Sequence, residues 1–312
     1  MTEKSMIKET YYNGKKSITL ENDKISVTVI LSQGGKIASF KYKKNNFELL
    51  FDDCEKSKDD FLPFDNFEKS AWGFDDAFPN IDEEEFVFNG EKIKYPDHGE
   101  VWTLGFDYRI ENDKLILRAD SRIFDYTFEK TLSLCGEKLK ISYNIMTKSE
   151  NPFPCMWTMH CLIHCENDMK LMYPKTAKKL MNVRYDSKYL GNFGTVFDYP
   201  SDKYNFDAVF DKSANKCEKV YVANEFSDGV CGAYYPKSDM EFKTYFDTEI
   251  LKYLGFWVTE GGFRGDYNCA MEPSTGFFDK ISIADKNNSL FYLTKDNPLK
   301  FEIELELKKG NN

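Results

Sequence analysis

Histidine is the scarcest chemistry-bearing residue of this chain, with three copies, at positions 98, 160 and 164, among 312 residues. Any proton transfer near neutral pH that needs imidazole must use one of these three. Long apolar runs are also missing, since no window approaches the roughly 18 consecutive apolar residues that a membrane helix requires. The opening Met1-Thr-Glu-Lys-Ser-Met-Ile-Lys lacks the apolar core of a signal peptide. A cytoplasmic location and no membrane partner are therefore expected. Positive charge is in deficit, with a formal net charge of −10 and no basic stripe. Phosphate backbones demand clustered Lys and Arg, so a nucleic-acid partner is not expected. No repeat, low-complexity tract or Pro/Gly/Ser linker marks a boundary, and residues 1–312 read as one domain.

What the chain has is aromatic surface: 27 Phe and 19 Tyr bring the aromatic share to 16%. Such residues suit half-buried pleated strands and also line sugar-binding surfaces. Short segments alternate apolar and polar residues, as in Lys16-Ser-Ile-Thr-Leu, an Asn22-Asp23 turn, and Ile25-Ser-Val-Thr-Val-Ile. Gly34-Gly35 reads as a tight turn, and Asn89-Gly90 between Phe86-Val-Phe and Lys92-Ile-Lys-Tyr95 is the strongest hairpin signal present. Strands are predicted at 106–111, 115–119, 126–134, 139–147, 155–165, 220–223, 229–235, 241–244, 253–259, 280–284, 289–293 and 299–307. Residues 52–70 carry no period and read as a long loop with room for a short helix; loops of that length are often functional. Many short strands between turn signals predict an all-β class, a large antiparallel β-sandwich or barrel, rather than alternating βα units. Eight cysteines (54, 135, 155, 161, 165, 217, 231, 269) in a chain this long, without an export signal, are expected to be reduced, and most to be buried.

The chemistry concentrates in three segments. His98 lies in Tyr95-Pro-Asp-His-Gly-Glu-Val-Trp102, bracketed by Pro and Gly on a sharp loop. His160 lies in Pro154-Cys-Met-Trp-Thr-Met-His-Cys-Leu-Ile-His-Cys165. On a strand alternate residues share a face, so Met156, Thr158, His160, Leu162 and His164 point one way and the cysteines the other. That parity argues against a mixed Cys/His zinc site, because tetrahedral ligands must converge; His160 and His164 with a distant carboxylate remain open. Glu272 follows apolar Cys269-Ala-Met and precedes Pro273; a carboxylate among apolar neighbours tends to a raised pKa and can act as a general base, although a solvated strand-end Glu has the same local sequence.

The ordered set of these motifs resembles the galactose mutarotase (aldose 1-epimerase) family over roughly residues 18–307. The resemblance runs from Val27-Thr-Val-Ile-Leu-Ser-Gln-Gly-Gly-Lys-Ile-Ala-Ser-Phe40 and Phe47-Glu-Leu-Leu-Phe51 through Gly73-Phe-Asp-Asp-Ala-Phe-Pro79. It continues over the His98 loop and the Trp157–His160 strand to Met271-Glu-Pro-Ser-Thr-Gly276. It implies a galactose mutarotase-like supersandwich and an enzyme that interconverts sugar anomers without metal or redox cofactor. His160 then matches the acid that protonates the ring oxygen, Glu272 the base that takes the anomeric proton, and His98 an assisting or binding histidine. Asp207 is the weaker match to a sugar-binding aspartate. Trp72, Phe74, Trp102 and Trp257 are aromatics on which a sugar face could stack, though each also suits a core.

The chain departs from the family pattern in two places. The segment Ala71-Trp-Gly-Phe-Asp-Asp-Ala-Phe-Pro-Asn80 has no Arg where such enzymes usually carry one, and Pro-Ser-Thr follows the glutamate. Asp75 and Asp76 are expected to bind sugar hydroxyls in place of the arginine. Arg264, close to Glu272 in sequence, is a candidate for holding a phosphate or carboxylate substituent. Two other classes stay open on the sequence: a carbohydrate-binding protein without turnover, and a carbohydrate lyase or hydrolase.

Overall fold

Period-two alternation becomes burial alternation in the computed structural model, which describes residues 5–53, 55, 61–201 and 205–310. The strand Lys138–Met146 shows it plainly: Leu139, Ile141, Tyr143 and Ile145 are buried and the residues between them are half-exposed. Strands of this kind hide one face only, so they require a second layer. Among the described residues the chain forms two large antiparallel sheets, one of 13 strands and one of eight. The larger runs in the spatial order Met6–Tyr12, Lys15–Glu21, Ile25–Ile30, Lys36–Tyr42, Phe74–Ala77, Thr158–Cys161, Tyr267–Ser274, Tyr253–Glu260, Lys216–Val222, Lys179–Asn182 and Val196–Asp198. The smaller centres on Met240–Phe246, Leu299–Lys309, Lys138–Met146 and Thr127–Cys135. A continuous apolar cluster from Ile18 to Leu307 joins the inner faces, giving the all-β sandwich that the sequence predicts.

The turns fall where the sequence places them. Gly34 and Gly35 take φ of 68° and 60°, and Asn89-Gly90 takes 51° and 84° between Glu84–Phe88 and Glu91–Tyr95. Within the expected long loop, 54 and 56–60 lie outside the described residues, while Phe67–Ser70 is a short 3₁₀ helix capped by the Asn66 side chain. The predicted strand 280–284 is instead the helix Ile281–Lys286, which buries Ile281 and Ala284 one turn apart. Five residues of mixed character fit either period, and packing chose. The predicted single strand 155–165 is three pieces, Phe153–Cys155, Thr158–Cys161 and Ile163–His164. Strands Met6–Tyr12, Lys170–Met172, Lys179–Asn182 and Val196–Asp198 were not legible from alternation.

Cys155, Cys161, Cys165, Cys231 and Cys269 are buried free thiols, Cys217 is half-buried and Cys135 exposed, while Cys54 lies outside the described residues. Among the described residues no helix is long and apolar enough to cross a membrane.

Two lysines pass into the interior to meet the aspartates of Phe74–Ala77. Lys36 ion-pairs with Asp75 and donates to the carbonyls of Ser70 and Trp72 at 2.9 and 2.7 Å. Lys130, from the smaller sheet, reaches Asp76 at 2.7 Å, and Trp157 Nε1 donates to the other oxygen of Asp76 at 3.0 Å. Buried charges persist only when paired and hydrogen-bonded in this way. These pairs hold the strand that runs beside His160.

Candidate functional site

Four neighbouring strands of the larger sheet build the floor of a cleft. Cross-strand register puts Glu272 opposite Gly255, and Gly255 opposite Tyr221; one step along, Trp257 lies opposite Lys219. Residues opposite one another share a face, so Lys219, Tyr221, Trp257, Asn268 and Glu272 project to the same side. Phe256, Val258, Cys269 and Met271, of the other parity, go to the core. Gly255 makes the room Glu272 occupies: a Cβ there would lie 3.0 Å from Glu272 Oε2 and 3.3 Å from Tyr221 Cζ. His160 joins from the adjoining strand, paired across Thr158–Cys161 with Asp75.

The wall comes from the loop around His98. His98 sits in the left-handed region at φ 56°, and Gly99 follows at 71°. A Cβ on Gly99 would meet Phe78 O at 2.1 Å, so only glycine lets the loop press against that strand end. Beneath it the fully buried Glu100 carboxylate accepts from Ser121 Oγ at 2.5 Å, Arg122 N at 2.6 Å, and Ile123 N and Tyr126 OH at 3.1 Å. Asp97 accepts from His98 Nδ1 at 2.7 Å and from the Phe67 amide at 3.1 Å. Burial pushes the Asp97 carboxyl up, yet the His98 hydrogen bond and charge and the Phe67 amide outweigh it and hold it below the usual range. An ionised Asp97 accepts only, so His98 Nδ1 keeps its hydrogen and Nε2 is the atom left to exchange a proton. The Phe67 ring lies flat on His98, centroids 4.0 Å apart at 13°, and both rings meet His160 edge-on at 5.0 Å.

The cleft so formed has a volume of about 240 Å³, against the roughly 10–15 Å³ that a single water needs on the same measure. His98, His160, Glu272 and Trp257 all line it. Desolvation, and next the charge of His98 and then Lys219, drives the His160 pKa well below the ordinary 6.5. Its Nδ1 is buried without a hydrogen-bond partner among the described residues. Desolvation lifts the Glu272 carboxyl, opposed by the ammonium of Lys219. Lys219 Nζ stands 3.0 Å from both Glu272 Oε2 and Asp279 Oδ1, and Tyr221 OH donates to the same Asp279 oxygen at 2.8 Å. Oε2 of Glu272 faces the Lys219 ammonium, and Oε1 is buried without a hydrogen-bond partner among the described residues.

Several expected ligands are elsewhere. Asp75 and Asp76 are buried in the ion pairs with Lys36 and Lys130 and do not line the cleft, a correction that follows from charge: each carboxylate compensates a lysine drawn into the interior. Trp102 is fully buried, donates Nε1 to Asp97 O at 3.0 Å and packs edge-on against Phe67, so it supports the wall from behind. Trp72 and Phe74 are core residues, Trp72 lying under the Lys36 ammonium. Asp207 is exposed, accepts from Tyr199 OH and lies away from the cleft. Arg264 is not a free anion receptor: it pairs with Asp53 at 2.6 Å and Asp266 at 3.4 Å and donates to the Glu68 carbonyl. His164 does not share the space of His160. Beyond the strand break its ring packs against Phe47 and Tyr235, with Nδ1 3.1 Å from Leu49 O.

Lys219, Asp279, Asp97 and Phe67 escaped sequence reasoning. A lysine inside the otherwise β-prone Lys219-Val-Tyr-Val was the available sign of the first, and Phe67 fell within the loop already marked by its length.

No family model matches the chain, and no curated protein matches its sequence. Solved structures do match its shape. A galactose mutarotase-like protein from Clostridium acetobutylicum aligns over 98% of this chain and 99% of its own at 16% identity and TM-score 0.71. A galactose mutarotase-like protein from Lactobacillus casei aligns over 94% and 100% at 15% identity and TM-score 0.69. A galactose mutarotase related enzyme from Lactobacillus acidophilus aligns over 95% and 99% at 14% identity and TM-score 0.72. At such identities the likeness is one of architecture, and function must be argued from the site. The chain has the galactose mutarotase-like fold.

Proposed function

We propose that the protein is an aldose 1-epimerase-like enzyme, a cofactor-independent isomerase that interconverts the anomers of a free sugar in the cleft between His160 and Glu272. The observation that carries this reading is the convergence of an imidazole and a carboxylate, 112 positions apart in sequence, on the same sugar-sized cavity with unsatisfied polar atoms on both. Glu272 takes the proton of the anomeric hydroxyl. The C1–O5 bond breaks with its electron pair going to O5, C1=O1 forms, and His160 delivers a proton to O5. Rotation about C1–C2 turns the other carbonyl face to O5. Reclosure returns the proton from Glu272 to O1 and regenerates the His160 acid, so nothing is consumed.

The electrostatics of Glu272 support the base role, whereas desolvation holds His160 largely neutral near neutral pH and confines its acid role to lower pH. Lys219 keeps enough of Glu272 ionised to accept a proton, while burial keeps it basic. His98, tied by Asp97 and Phe67, adds a second ring beside His160 through which hydroxyls or a proton can be handled. Trp257 offers an aromatic face, and sugar C–H groups pack on such faces. The whole chain as one such domain, acting on a small neutral sugar, is part of the same proposal.

Polarimetry tests it. Purified protein should accelerate mutarotation of at least one of a panel of freshly dissolved aldoses. His160→Asn and Glu272→Gln should each lower kcat by about 10² to 10⁴-fold, the usual contribution of a positioned acid or base. Wild-type protein that leaves every sugar at the buffer rate would end the proposal.

A further inference from the structure

We infer that the protein carries a second small-molecule site, separate from the cleft, which takes a compact organic ammonium ion. A cavity of about 180 Å³ is lined by residues of the strands Lys216–Val222 and Tyr253–Glu260, on the face opposite to the one that carries Lys219 and Trp257. Register puts Lys216 across from Glu260 and Glu218 across from Val258, so these four share that reverse face with Phe256. Tyr189, Leu190 and residues within 205–210 complete the walls. None of the side chains lining this space lines the cleft.

Two acids line this space against one ammonium. Glu218 is 7% exposed, and its Oε2 is buried without a hydrogen-bond partner among the described residues. Glu260 is 3% exposed and accepts the Phe210 amide at 2.7 Å. Burial lifts both carboxyl groups; Ser187 and Arg184 oppose this at Glu218, the Phe210 amide and Lys216 oppose it at Glu260, and the charge of Glu218 raises Glu260 further. Neither cation neutralises the pair. Arg184 is committed to Asp186 through hydrogen bonds of 2.9 and 2.6 Å. The Lys216 ammonium stands 4.4 Å from the centre of the Tyr189 ring and 4.2 Å from that of Phe210, drawn to the aromatic faces rather than into an ion pair with either acid. A buried carboxylate oxygen without a donor is costly, and an ammonium brings three donors and the missing charge. The rest of the lining selects the kind of cation. Hard metal ions gather about six or more oxygen ligands, and among the described residues no three His, Cys, Asp or Glu side chains converge as a metal would require. Phe206, Phe256 and Val258 instead offer rings and methyl groups, which suit the carbon part of an organic cation.

Isothermal titration of the full chain with n-butylammonium chloride tests this, with sodium chloride at equal ionic strength and butan-1-ol as the uncharged analogue. n-Butylammonium should bind saturably at one site per chain, and butan-1-ol should not. Glu218→Gln, which keeps the shape of the side chain, should weaken binding by about tenfold or more, the scale of a lost charge-assisted hydrogen bond. Lys216→Met removes the competing positive charge and should tighten binding several-fold. Lys216 is half-buried and holds no ion pair with the acids, so this variant keeps its fold and remains readable even if Glu218→Gln does not. Glu272→Gln, in the cleft, should leave the affinity unchanged. No saturable binding of n-butylammonium, equal binding of butan-1-ol, or an affinity unmoved in Lys216→Met or in folded Glu218→Gln would overturn the second site. Loss of binding in Glu272→Gln would place the ammonium in the cleft and overturn it too. Mutarotation is not read at any point, so the outcome is independent of the epimerase reading.

Discussion

Lys219 holds its ammonium 3.0 Å from the Glu272 carboxylate, and the charge state of the candidate base depends on that contact. Desolvation alone would favour the neutral acid; the lysine, itself held charged by Asp279 and Glu272 despite its burial, opposes this.

The pH dependence follows with a definite sign. Because the Glu272 pKa is raised, kcat/KM for mutarotation should fall on acidification from a point above the ordinary glutamate value of about 4.3. Because the His160 pKa is depressed, the alkaline decline should begin below about 6.5, the ordinary histidine value. Lys219→Met removes the charge that lowers Glu272 and should move the acid limb to higher pH. A limb that stays in place in that variant would separate Lys219 from the base.

Asp97 acts through His98 rather than on substrate. Asp97→Asn gives the ring Nδ1 a weaker, neutral partner and loosens the Phe67 amide, so the stacked pair loses its registration. The expected effect is a fall in kcat of up to about a hundredfold, the scale of a misplaced catalytic group. The unfolding midpoint should change little. An equal loss of stability and activity would instead mark a merely structural role.

Gly255→Ala is a second positioning test, from the opposite side. Its methyl would approach Glu272 Oε2 to 3.0 Å and the buried Tyr221 Cζ to 3.3 Å, and with the tyrosine packed in place the carboxylate must shift. Activity should drop about ten- to a hundredfold. Unchanged kcat/KM would show that Glu272 has freedom the packing denies it.

Lys130→Met leaves Asp76 buried with Trp157 as its remaining partner. Breaking a buried pair from one side costs about 3 to 5 kcal/mol, measurable by denaturant unfolding. Lys130→Met with Asp76→Asn should regain much of that loss, because the uncompensated charge is gone. Full additivity of the two single effects would contradict the pairing.

Much of the sandwich was legible because strand alternation is a local property: Leu139, Ile141, Tyr143 and Ile145 declare a buried face within nine residues. The short stretch 280–284 was misread because five residues fit two periods. His98, His160 and Glu272 were named through ordered motifs, but their convergence was not written in any local window. The fate of Asp75 and Asp76 was hidden for the same reason. Their partners lie 39 and 54 positions away, and a solvated acidic pair looks identical in sequence.

By itself, then, the sequence determined the β class, the turns and the short inventory of groups able to move a proton, since periodicity and composition act residue by residue. Tertiary structure alone decided which carboxylates face the cleft and which neutralise buried lysines. It also set the direction of every relevant pKa and separated His164 from His160, because desolvation and charge pairing are properties of neighbours brought together by the fold.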